Sequence, residues 1–394
     1  TQRSYIMIAI VLAGVMVDRP AITFRTLTVA AFGVLLLAPE AVVHPSFQMS
    51  FAATLALIAG YQYGLPWRAN ADTSIGAKIA LWGGREVVGL LLASLVAGLA
   101  TTPYAAYHFH RLAPYGVIAN LLAMPVVSAA VMPMGILGVL AMPFGFDAIF
   151  WRLMGEGLDW MIFVALWVTS LPGSVGRMAA FGTGPLLLCT AGILLLCLLR
   201  SRLRWSGAAV VVAASLWAAN VPRPDIWISQ DGQVAALRGP SGQLSVLHAG
   251  RDTFAIKEWL AADGDARTVK DTNLHEGVLC DAVSCVSKLA DGRLVSMPLS
   301  AEAFAEDCAR TAVVLSPRDA PGDCAALLVD RKVWRGNGAM TLRWIGDHFE
   351  QSVARPAGYE RPWARGPRDT PTATPRRPAA RDATPRNEDM EIGD

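Results

Sequence analysis

Charged side chains are scarce in this chain. Only 17% of its 394 residues are charged, against about a quarter in an ordinary soluble domain, while 53% are hydrophobic and the mean hydropathy is +0.39. Apolar runs dominate before residue 220, and charge rises sharply after it. The composition therefore excludes a single soluble domain and predicts a membrane region followed by a soluble one. The net charge of +2 indicates nothing about partners.

Nucleotide-binding and N-terminal targeting signals are also missing. No Gly-rich loop followed by Lys and Ser or Thr is present, so we expect no phosphate-binding site for a driving nucleotide. The sequence starts at Thr1 and enters an apolar run without a basic leader or a cleavage site. We therefore interpret it as an N-terminally incomplete membrane protein, and not as a signal peptide followed by a globular domain.

Long apolar runs fill the first 220 residues. A bilayer core of about 30 Å needs about 20 apolar residues per helix. Runs close to this length lie at 4–17, 26–43, 47–64, 86–106, 113–142, 149–171, 181–199 and 206–220. The fifth is too long and contains Pro125, Pro133 and Pro143, so it is either one kinked helix or two half-helices that turn back within the membrane. The pattern predicts a polytopic α-helical membrane protein with about eight transmembrane helices.

The basic residues of the short loops predict an orientation, because cytoplasmic loops carry an excess of Lys and Arg. If the loop 200–204, with three arginines, is cytoplasmic, most other basic loops fall on the same side. The opposite loops contain only Arg111 and Arg177. This orientation places the residues after 220 outside the cytoplasm. Alternatively, the arginines merely cap helix ends.

Three polar stretches interrupt the apolar runs, and intramembrane polarity often marks function. In 44–58, Gln48, Ser50 and Thr54 form a stripe that either lines a polar path or bonds to a neighbouring helix. The segment 101–115 interleaves aromatics with His and Arg, which suits either a nucleic-acid strand or an aromatic belt at the membrane surface. In the third stretch, Asn120 and Ser128 flank a helix-breaking proline.

These stretches carry a family resemblance. Residues 44–58 resemble a Pro-x-Phe-Gln-Leu-Ser-Phe-Ala-Ala helix, and residues 101–112 a Thr-x-Pro…Tyr-His-Phe-x-Arg-Leu segment. Residues 114–138 resemble an Asn-Leu-Leu-Ala-x-Pro-Val-x-Ser…Pro-x-Gly run. Together, over about residues 1–220, they resemble the C-terminal half of the competence domain of ComEC-type proteins. Met49 stands where Leu is usual, and His44 where an acidic residue is frequent.

The resemblance implies an inner-membrane channel subunit that passes single-stranded DNA into the cytoplasm during natural transformation. It also implies a cytoplasmic DNA-translocating motor and an extracytoplasmic DNA-receptor protein as partners, besides membrane lipid and a possible homo-oligomer. By motif position, we expect Gln48, Ser50, Arg111 and Asn120 to border the DNA path. The alternative is a transporter or membrane scaffold for another substrate, but no internal repeat of the kind common in transporters is visible.

The soluble region resembles the opening of a metallo-β-lactamase-like domain. Residues 225–229, 233–238 and 243–248 alternate and are separated by Asp-Gly and Ser-Gly turns, which predicts three strands. The expected His-x-His-x-Asp-His motif is absent, and His248, His275 and His348 are far apart. A binuclear metal site needs several converging ligands. We therefore expect a degenerate domain without metal, cofactor or enzymatic activity, the alternative being a rearranged metal site.

Cysteines and the remaining pattern complete the domain prediction. Of the three possible pairings of the soluble cysteines, we predict the local ones, Cys280 with Cys285 and Cys308 with Cys324; four reduced thiols are the alternative. Cys189 and Cys197 lie within a span and are expected to be apolar fillers.

Further strands are predicted at 293–297, 311–316, 325–330 and 340–344, and helices at 254–262 and 301–309. The predicted divisions are a membrane domain (1–220), a small α/β domain (221–354) and a disordered tail (355–394).

Overall fold

The computed structural model describes residues 23–63, 75–248, 253–356 and 358. The predicted span 4–17 and nearly all of the predicted tail 355–394 lie outside these residues. The chain divides into two compact units, residues 1–221 and 222–394. The first is helical, and the second contains both sheets and helices. The expected change from a helical to a mixed α/β region is therefore confirmed.

The helical unit follows the apolar runs of the sequence. Its helices are α1 (Phe24–Leu37), α2 (Pro45–Tyr63), α3 (Ile75–Phe109), α4 (Gly116–Val126), α5 (Met132–Ala141), α6 (Asp147–Ser170), α7 (Thr183–Leu198) and α8 (Arg204–Ala219). A capping box of Thr23 and Thr26 starts α1, and Pro45 is the first residue of α2, where the missing amide proton costs nothing.

The long fifth apolar run forms one continuous helical segment. A π-helical turn, Val127–Val131, joins α4 to α5 without a break, and a 3-10 turn, Met142–Phe144, ends the run. Pro125 cannot donate a backbone hydrogen bond, and the Trp160 indole of α6 donates to the nearby Leu122 carbonyl at 3.1 Å. A neighbouring helix thus supplies a donor beside the proline, and the alternative of two half-helices is excluded for the described residues.

Two described helices are long and apolar enough to cross a membrane, Val87–Phe109 and Gly116–Phe144. In the most apolar stretch of each, only 11% and 6% of residues are buried, unlike the core helix of a soluble protein. Helices Phe24–Leu37 and Thr183–Leu198 are apolar but shorter. Eight transmembrane helices are therefore not shown by the described residues. The other helices are shorter, carry internal charges like α6 with its Glu156 and Asp159, or, like the 19-residue α2, contain several polar residues.

Glycines let the helices of this unit approach closely. A Cβ atom at Gly207 of α8 would lie 2.5 Å from the Gly192 carbonyl oxygen of α7, and one at Gly192 would lie 2.9 Å from that of Gly207. Likewise, a Cβ atom at Gly157 of α6 would lie 2.8 Å from Val131. Small residues at such crossings allow backbone-to-backbone van der Waals contact, which is how helices associate without a hydrophobic driving force.

Two short strands, β1 (Arg111–Leu112) and β2 (Gly176–Arg177), belong to the helical unit. The second unit contains two five-stranded sheets. The strands are β3 (Ile226–Ile228), β4 (Val234–Arg238), β5 (Leu244–His248), β6 (Val278–Cys280), β7 (Ser284–Lys288), β8 (Leu294–Pro298), β9 (Val313–Leu315), β10 (Leu327–Val329), β11 (Met340–Ile345) and β12 (His348–Val353). The first sheet is antiparallel, in the order β12-β11-β3-β4-β5. The second has the order β10-β9-β8-β7-β6, and its strands β8, β9 and β10 are parallel.

The two sheets enclose the main apolar core of this unit. Ile226, Leu237 and Leu342 of the first sheet pack with Met297 and Leu315 of the second. The other side of the first sheet packs against helix α9 (Thr253–Asp263) through residues such as Trp259. Helix α10 (Ala303–Arg310) lies on the other face of the second sheet, where its Asp307 carboxylate accepts a hydrogen bond of 2.7 Å from the Ser284 hydroxyl. The unit is thus layered helix, sheet, sheet, helix.

Candidate functional site

A short ladder brings two arginines of the helical unit together. Strand β1 (Arg111–Leu112) follows α3, and strand β2 (Gly176–Arg177) follows α6. They pair antiparallel with Arg111 opposite Arg177 and Leu112 opposite Gly176. Cβ atoms of opposite residues in such a pair are about 4.5–5.5 Å apart, and like charges there are destabilising. The ladder therefore concentrates positive charge at one point.

Backbone geometry positions the ladder. His110 has a φ of 55°, a left-handed conformation that is uncommon for a residue other than glycine and marks the end of α3. Its carbonyl accepts a hydrogen bond of 3.2 Å from the Met178 amide, which extends the pairing beyond β2. A Cβ atom at position 176 would lie 2.9 Å from the Leu112 Cβ, so Gly176 permits the close approach of the strands.

The Arg111 guanidinium is available to an anion. The residue is exposed, and no carboxylate among the described residues lies within the 4.0 Å of an ion pair with it. Guanidinium groups offer several donors in a fixed planar arrangement that matches phosphate oxygens. The arrangement can therefore bind a phosphate group in preference to a neutral ligand.

Gln48 links two helices next to this ladder. The distance between Gln48 Oε1 and His108 Nε2 is 2.8 Å, and the Gln48 amide nitrogen donates to the Val42 carbonyl at 2.9 Å. Because an amide oxygen can only accept, His108 Nε2 carries the proton. Gln48 therefore forms a hydrogen bond between α2 and α3. Of the two alternatives for this residue, a polar path or a bond to a neighbouring helix, the structure shows the bond.

The aromatic segment 101–115 divides between core and surface. Tyr104 is buried, and its hydroxyl donates to the Thr190 hydroxyl of α7 at 3.1 Å. Tyr107 packs edge-on against Phe181 with 5.7 Å between ring centroids. Phe109 is half exposed, and the Tyr115 hydroxyl donates to the Pro172 carbonyl at 3.0 Å. Only the end of the segment, from Phe109 to Tyr115, therefore lies beside the arginine ladder.

The remaining predicted path residues are not joined to this cluster. Ser50 is exposed, and its carbonyl accepts a local hydrogen bond from the Thr54 hydroxyl. Asn120 is exposed on α4, and within the part of the chain that the structure describes its side chain makes no hydrogen bond to Gln48, Ser50 or Arg111. Arg177 was absent from the predicted site, although it was the other basic residue expected on the same side of the membrane.

Comparison with known proteins decides the family. The sequence model of the competence protein family matches residues 1–203, about half of the chain. The chain belongs to the competence protein family. Membership indicates a role in DNA uptake and association with a membrane.

One curated relative of this competence protein is ComE operon protein 3 of Bacillus subtilis strain 168. The two are 25% identical over 179 residues, which are 45% of this chain and 20% of the relative. The match therefore spans about a fifth of the relative's length. No solved structure matches the chain.

The C-terminal unit of this competence protein lies beyond the family match. Among its described residues, no group of three or more His, Cys, Asp or Glu side chains is placed to hold a metal ion. The His275 Nδ1 atom lies 2.9 Å from the Val246 carbonyl oxygen, and the His348 Nδ1 atom lies 3.0 Å from the Asp347 carboxylate. The resemblance to a metallo-β-lactamase-like domain and the expected absence of catalysis stay predictions.

The structure contains two disulfides in this unit. Cys280 is bonded to Cys285 across the hairpin of β6 and β7, and Cys308 of α10 to Cys324. The Asp281 carboxylate in the hairpin turn accepts hydrogen bonds from the Ser284 amide at 2.7 Å and the Val283 amide at 2.8 Å. These bonds hold the pKa of Asp281 below its usual value. Cys189 and Cys197 of α7 are buried and unbonded.

A cavity of about 480 Å³ opens near the β11–β12 hairpin. Its lining includes Arg293, Trp344, His348 and Phe349. The Arg293 guanidinium stacks on the Trp344 ring, 3.1 Å from its centroid, a cation–π contact of the kind that arginine favours. Arg293 thus covers the Trp344 ring on the side that lines the cavity.

Proposed function

We propose that this competence protein is an inner-membrane channel subunit that passes single-stranded DNA into the cytoplasm during natural transformation. The arginine pair Arg111 and Arg177 is the observation that carries the proposal. Arg111 is exposed and has no carboxylate partner among the described residues, and Arg177 adds a second positive charge opposite it, so the pair offers a phosphate a positively charged position. A DNA strand carries one phosphate per nucleotide. Each nucleotide that passes the arginine pair therefore brings an anion to it.

The helical unit provides the membrane setting for this proposal. We assign about eight spans to it, including the segment 4–17 outside the described residues, and the shorter helices then cross with local thinning or tilt of the bilayer. Exposed apolar side chains such as Phe32, Leu36, Phe163 and Leu166 face lipid in this arrangement. The three arginines of the loop 200–204 lie on the cytoplasmic side, and the ladder lies on the other side.

The proposed mechanism is electrostatic guidance. Phosphates of the strand meet Arg111 and Arg177 at the outer side, while exposed aromatic groups such as Phe109 offer surfaces on which bases stack without sequence preference. Gln48 and His108, which are joined by a hydrogen bond, lie on the inner side of this arginine pair. A separate cytoplasmic motor pulls the strand, and an extracytoplasmic receptor delivers it.

The C-terminal unit is extracytoplasmic and non-catalytic in this proposal. Disulfides persist in oxidising compartments such as the periplasm, which agrees with the bonds of Cys280 with Cys285 and Cys308 with Cys324. The layered α/β arrangement suits a degenerate metallo-β-lactamase-like domain, whose scattered histidines offer no metal site.

Transformation of the host strain tests the proposal. Deletion of the gene should abolish transformation while DNA binding at the cell surface persists. The double variant Arg111→Gln with Arg177→Gln should lower the transformation frequency at least about tenfold, since charge contacts to phosphate set the affinity for the strand. Arg152→Gln, an exposed arginine on α6, is the matched control and should have little effect. Normal transformation of the deleted strain would refute the proposal and favour a transporter or scaffold for another substrate.

A further inference from the structure

Most arginines of the C-terminal unit have a carboxylate partner. Among its described residues, the pairs are Arg238 with Asp263, Arg267 with Asp265, Arg293 with Asp291, Arg310 with Glu306, Arg331 with Asp319, and Arg343 with Glu350. The pair of Arg331 with Asp319, at 4.0 Å, is the longest of them. Arg223, Arg318, Arg335 and Arg355 remain without an ion pair in the described part of the unit. Three of these four lie in one place.

That place is the surface around helix α11 (Arg331–Asn337). The Arg331 amide donates to the Arg318 carbonyl at 3.2 Å, so the loop after β9 lies against the start of the helix. A guanidinium nitrogen of Arg355 lies 3.4 Å from the Arg335 carbonyl oxygen, and the Arg355 amide donates to the Asn337 carbonyl. Chain segments distant in sequence therefore converge there. We define the basic face by its cations without an ion pair among the described residues, Arg318, Lys332, Arg335 and Arg355. Arg331, which pairs with Asp319, lies among them.

The scaffold under the basic face is closely packed and hydrogen-bonded. The Trp334 indole donates to the Ser316 carbonyl at 3.1 Å, and a Cβ atom at Gly232 would lie only 2.5 Å from that indole nitrogen. Asp330 is buried, and its carboxylate caps α11 by accepting from the Lys332 and Val333 amides. The Asp330 carboxylate is therefore already hydrogen-bonded to backbone amides. Asp319 and Asp323 are the other acidic residues of the adjoining loop.

We propose that the basic face binds the phosphate backbone of a DNA strand on the C-terminal unit, and this inference rests on the proposed function. Unpaired Lys and Arg side chains on one face bind phosphates and release counterions. A lipid surface is the other extended polyanion, but interfacial membrane binding gains strength from buried apolar area as well as from charge. The exposed large apolar side chains described in this unit are Phe254, Leu279 and Ile345, and none lies within 316–338.

Salt-dependent binding by the full chain tests the inference. The probe is a fluorescein-labelled oligothymidylate, and the protein is held in nanodiscs of zwitterionic lipid. The patch variant combines Arg318→Gln, Lys332→Gln and Arg335→Gln. Its control removes the same charge elsewhere on the unit by Lys257→Gln, Lys270→Gln and Lys288→Gln, all exposed residues. Both are made with and without Arg111→Gln and Arg177→Gln.

We expect the patch variant to bind the probe about tenfold more weakly at low salt. Its plot of log affinity against log salt should be shallower by about two, the loss for three single-strand phosphate contacts. The control should keep the wild-type affinity and slope. Equal losses in both variants, or none in either, would overturn the inference.

Three further outcomes separate the explanations. If replacing zwitterionic by anionic lipid abolishes the difference between patch variant and wild type, lipid headgroups occupy the basic face and the inference fails. Unchanged probe binding by the patch variant, with transformation still dependent on Arg111 and Arg177, defeats this inference alone. Normal transformation of the deleted strain, with binding lost in the patch variant, defeats the proposed function alone.

Discussion

Arg111 lies directly opposite Arg177 in the antiparallel ladder that joins the ends of α3 and α6. Neither residue belongs to a long strand, so the pairing is not a by-product of a large sheet. Cross-strand like charges cost free energy, and the fold nevertheless places them in register. The fold therefore holds two cations together where α3 and α6 end.

Reversing the charge of Arg177 distinguishes an effect on folding stability from an effect on transformation. Arg177→Glu places a carboxylate opposite Arg111, and an opposite-charge cross-strand pair contributes about 0.2–1 kcal/mol. The thermal unfolding midpoint should therefore stay unchanged or rise, while the transformation frequency falls. Arg177→Lys, which keeps the charge, is the control and should retain transformation. A fully competent Arg177→Glu strain would contradict the role of the pair.

The α7–α8 contact should tolerate no side chain at Gly207. Even one methyl group meets the Gly192 carbonyl oxygen, so Gly207→Ala is expected to lower the free energy of unfolding by about 1–3 kcal/mol through overpacking. Gly98→Ala in α3 is the matched control, because nothing lies within 4 Å of its Cβ position. Unfolding in detergent, followed by circular dichroism, measures both. Equal stability of the two variants would show that the helices do not cross at this glycine.

The Cys308–Cys324 bond should stabilise the C-terminal unit and report its location. Its sequence separation of 16 residues corresponds to about 3 kcal/mol in the chain-entropy account, so the double variant Cys308→Ser with Cys324→Ser should unfold at lower denaturant concentration. In intact cells, a membrane-impermeant maleimide should label the wild-type cysteines only after reductant is added. Equal labelling with and without reductant would rule out the disulfides.

The Asp281 turn should make the hairpin of β6 and β7 sensitive to acid. Hydrogen bonds from the Ser284 and Val283 amides lower the pKa of Asp281 in the folded state. Its contribution is therefore present above the unfolded pKa and is lost as the pH falls through the folded pKa. Wild type should exceed Asp281→Asn in thermal midpoint near neutral pH, and the difference should vanish in acid. A difference that grows in acid would contradict this sign.

Several parts of the soluble fold were predictable because their signals are local. The strands β3, β4 and β5 were expected from alternation between Asp-Gly and Ser-Gly turns, and the structure places them within a residue or two of the predicted bounds. Helices α9 and α10 were also expected. In contrast, β6, β7, β12 and α11 were not, since their short segments lack a clear period and owe their conformation to neighbouring strands and to the Asp330 cap.

The predicted DNA path of Gln48, Ser50, Arg111 and Asn120 stays a prediction, and the structure adds the partners of two of these residues. The motif containing Arg111 was singled out, but its relation to Arg177 depends on a pairing between segments far apart in the sequence. Gln48 was expected on a polar stripe with Ser50, yet its side chain turns to His108 while Ser50 is exposed without such a partner. Side-chain direction on a helix with little amphipathic pattern is set by the neighbouring helix.

The sequence by itself determined where apolar segments begin and end, where the chain changes from helical to mixed α/β structure, and that it resembles a competence protein, because these depend on composition and on residues close together in the chain. Only the tertiary structure decided that Arg111 faces Arg177, that Gly192 and Gly207 touch, and that Arg318, Arg335 and Arg355 form one basic face. Such contacts depend on which surfaces pack together, and no local period encodes them.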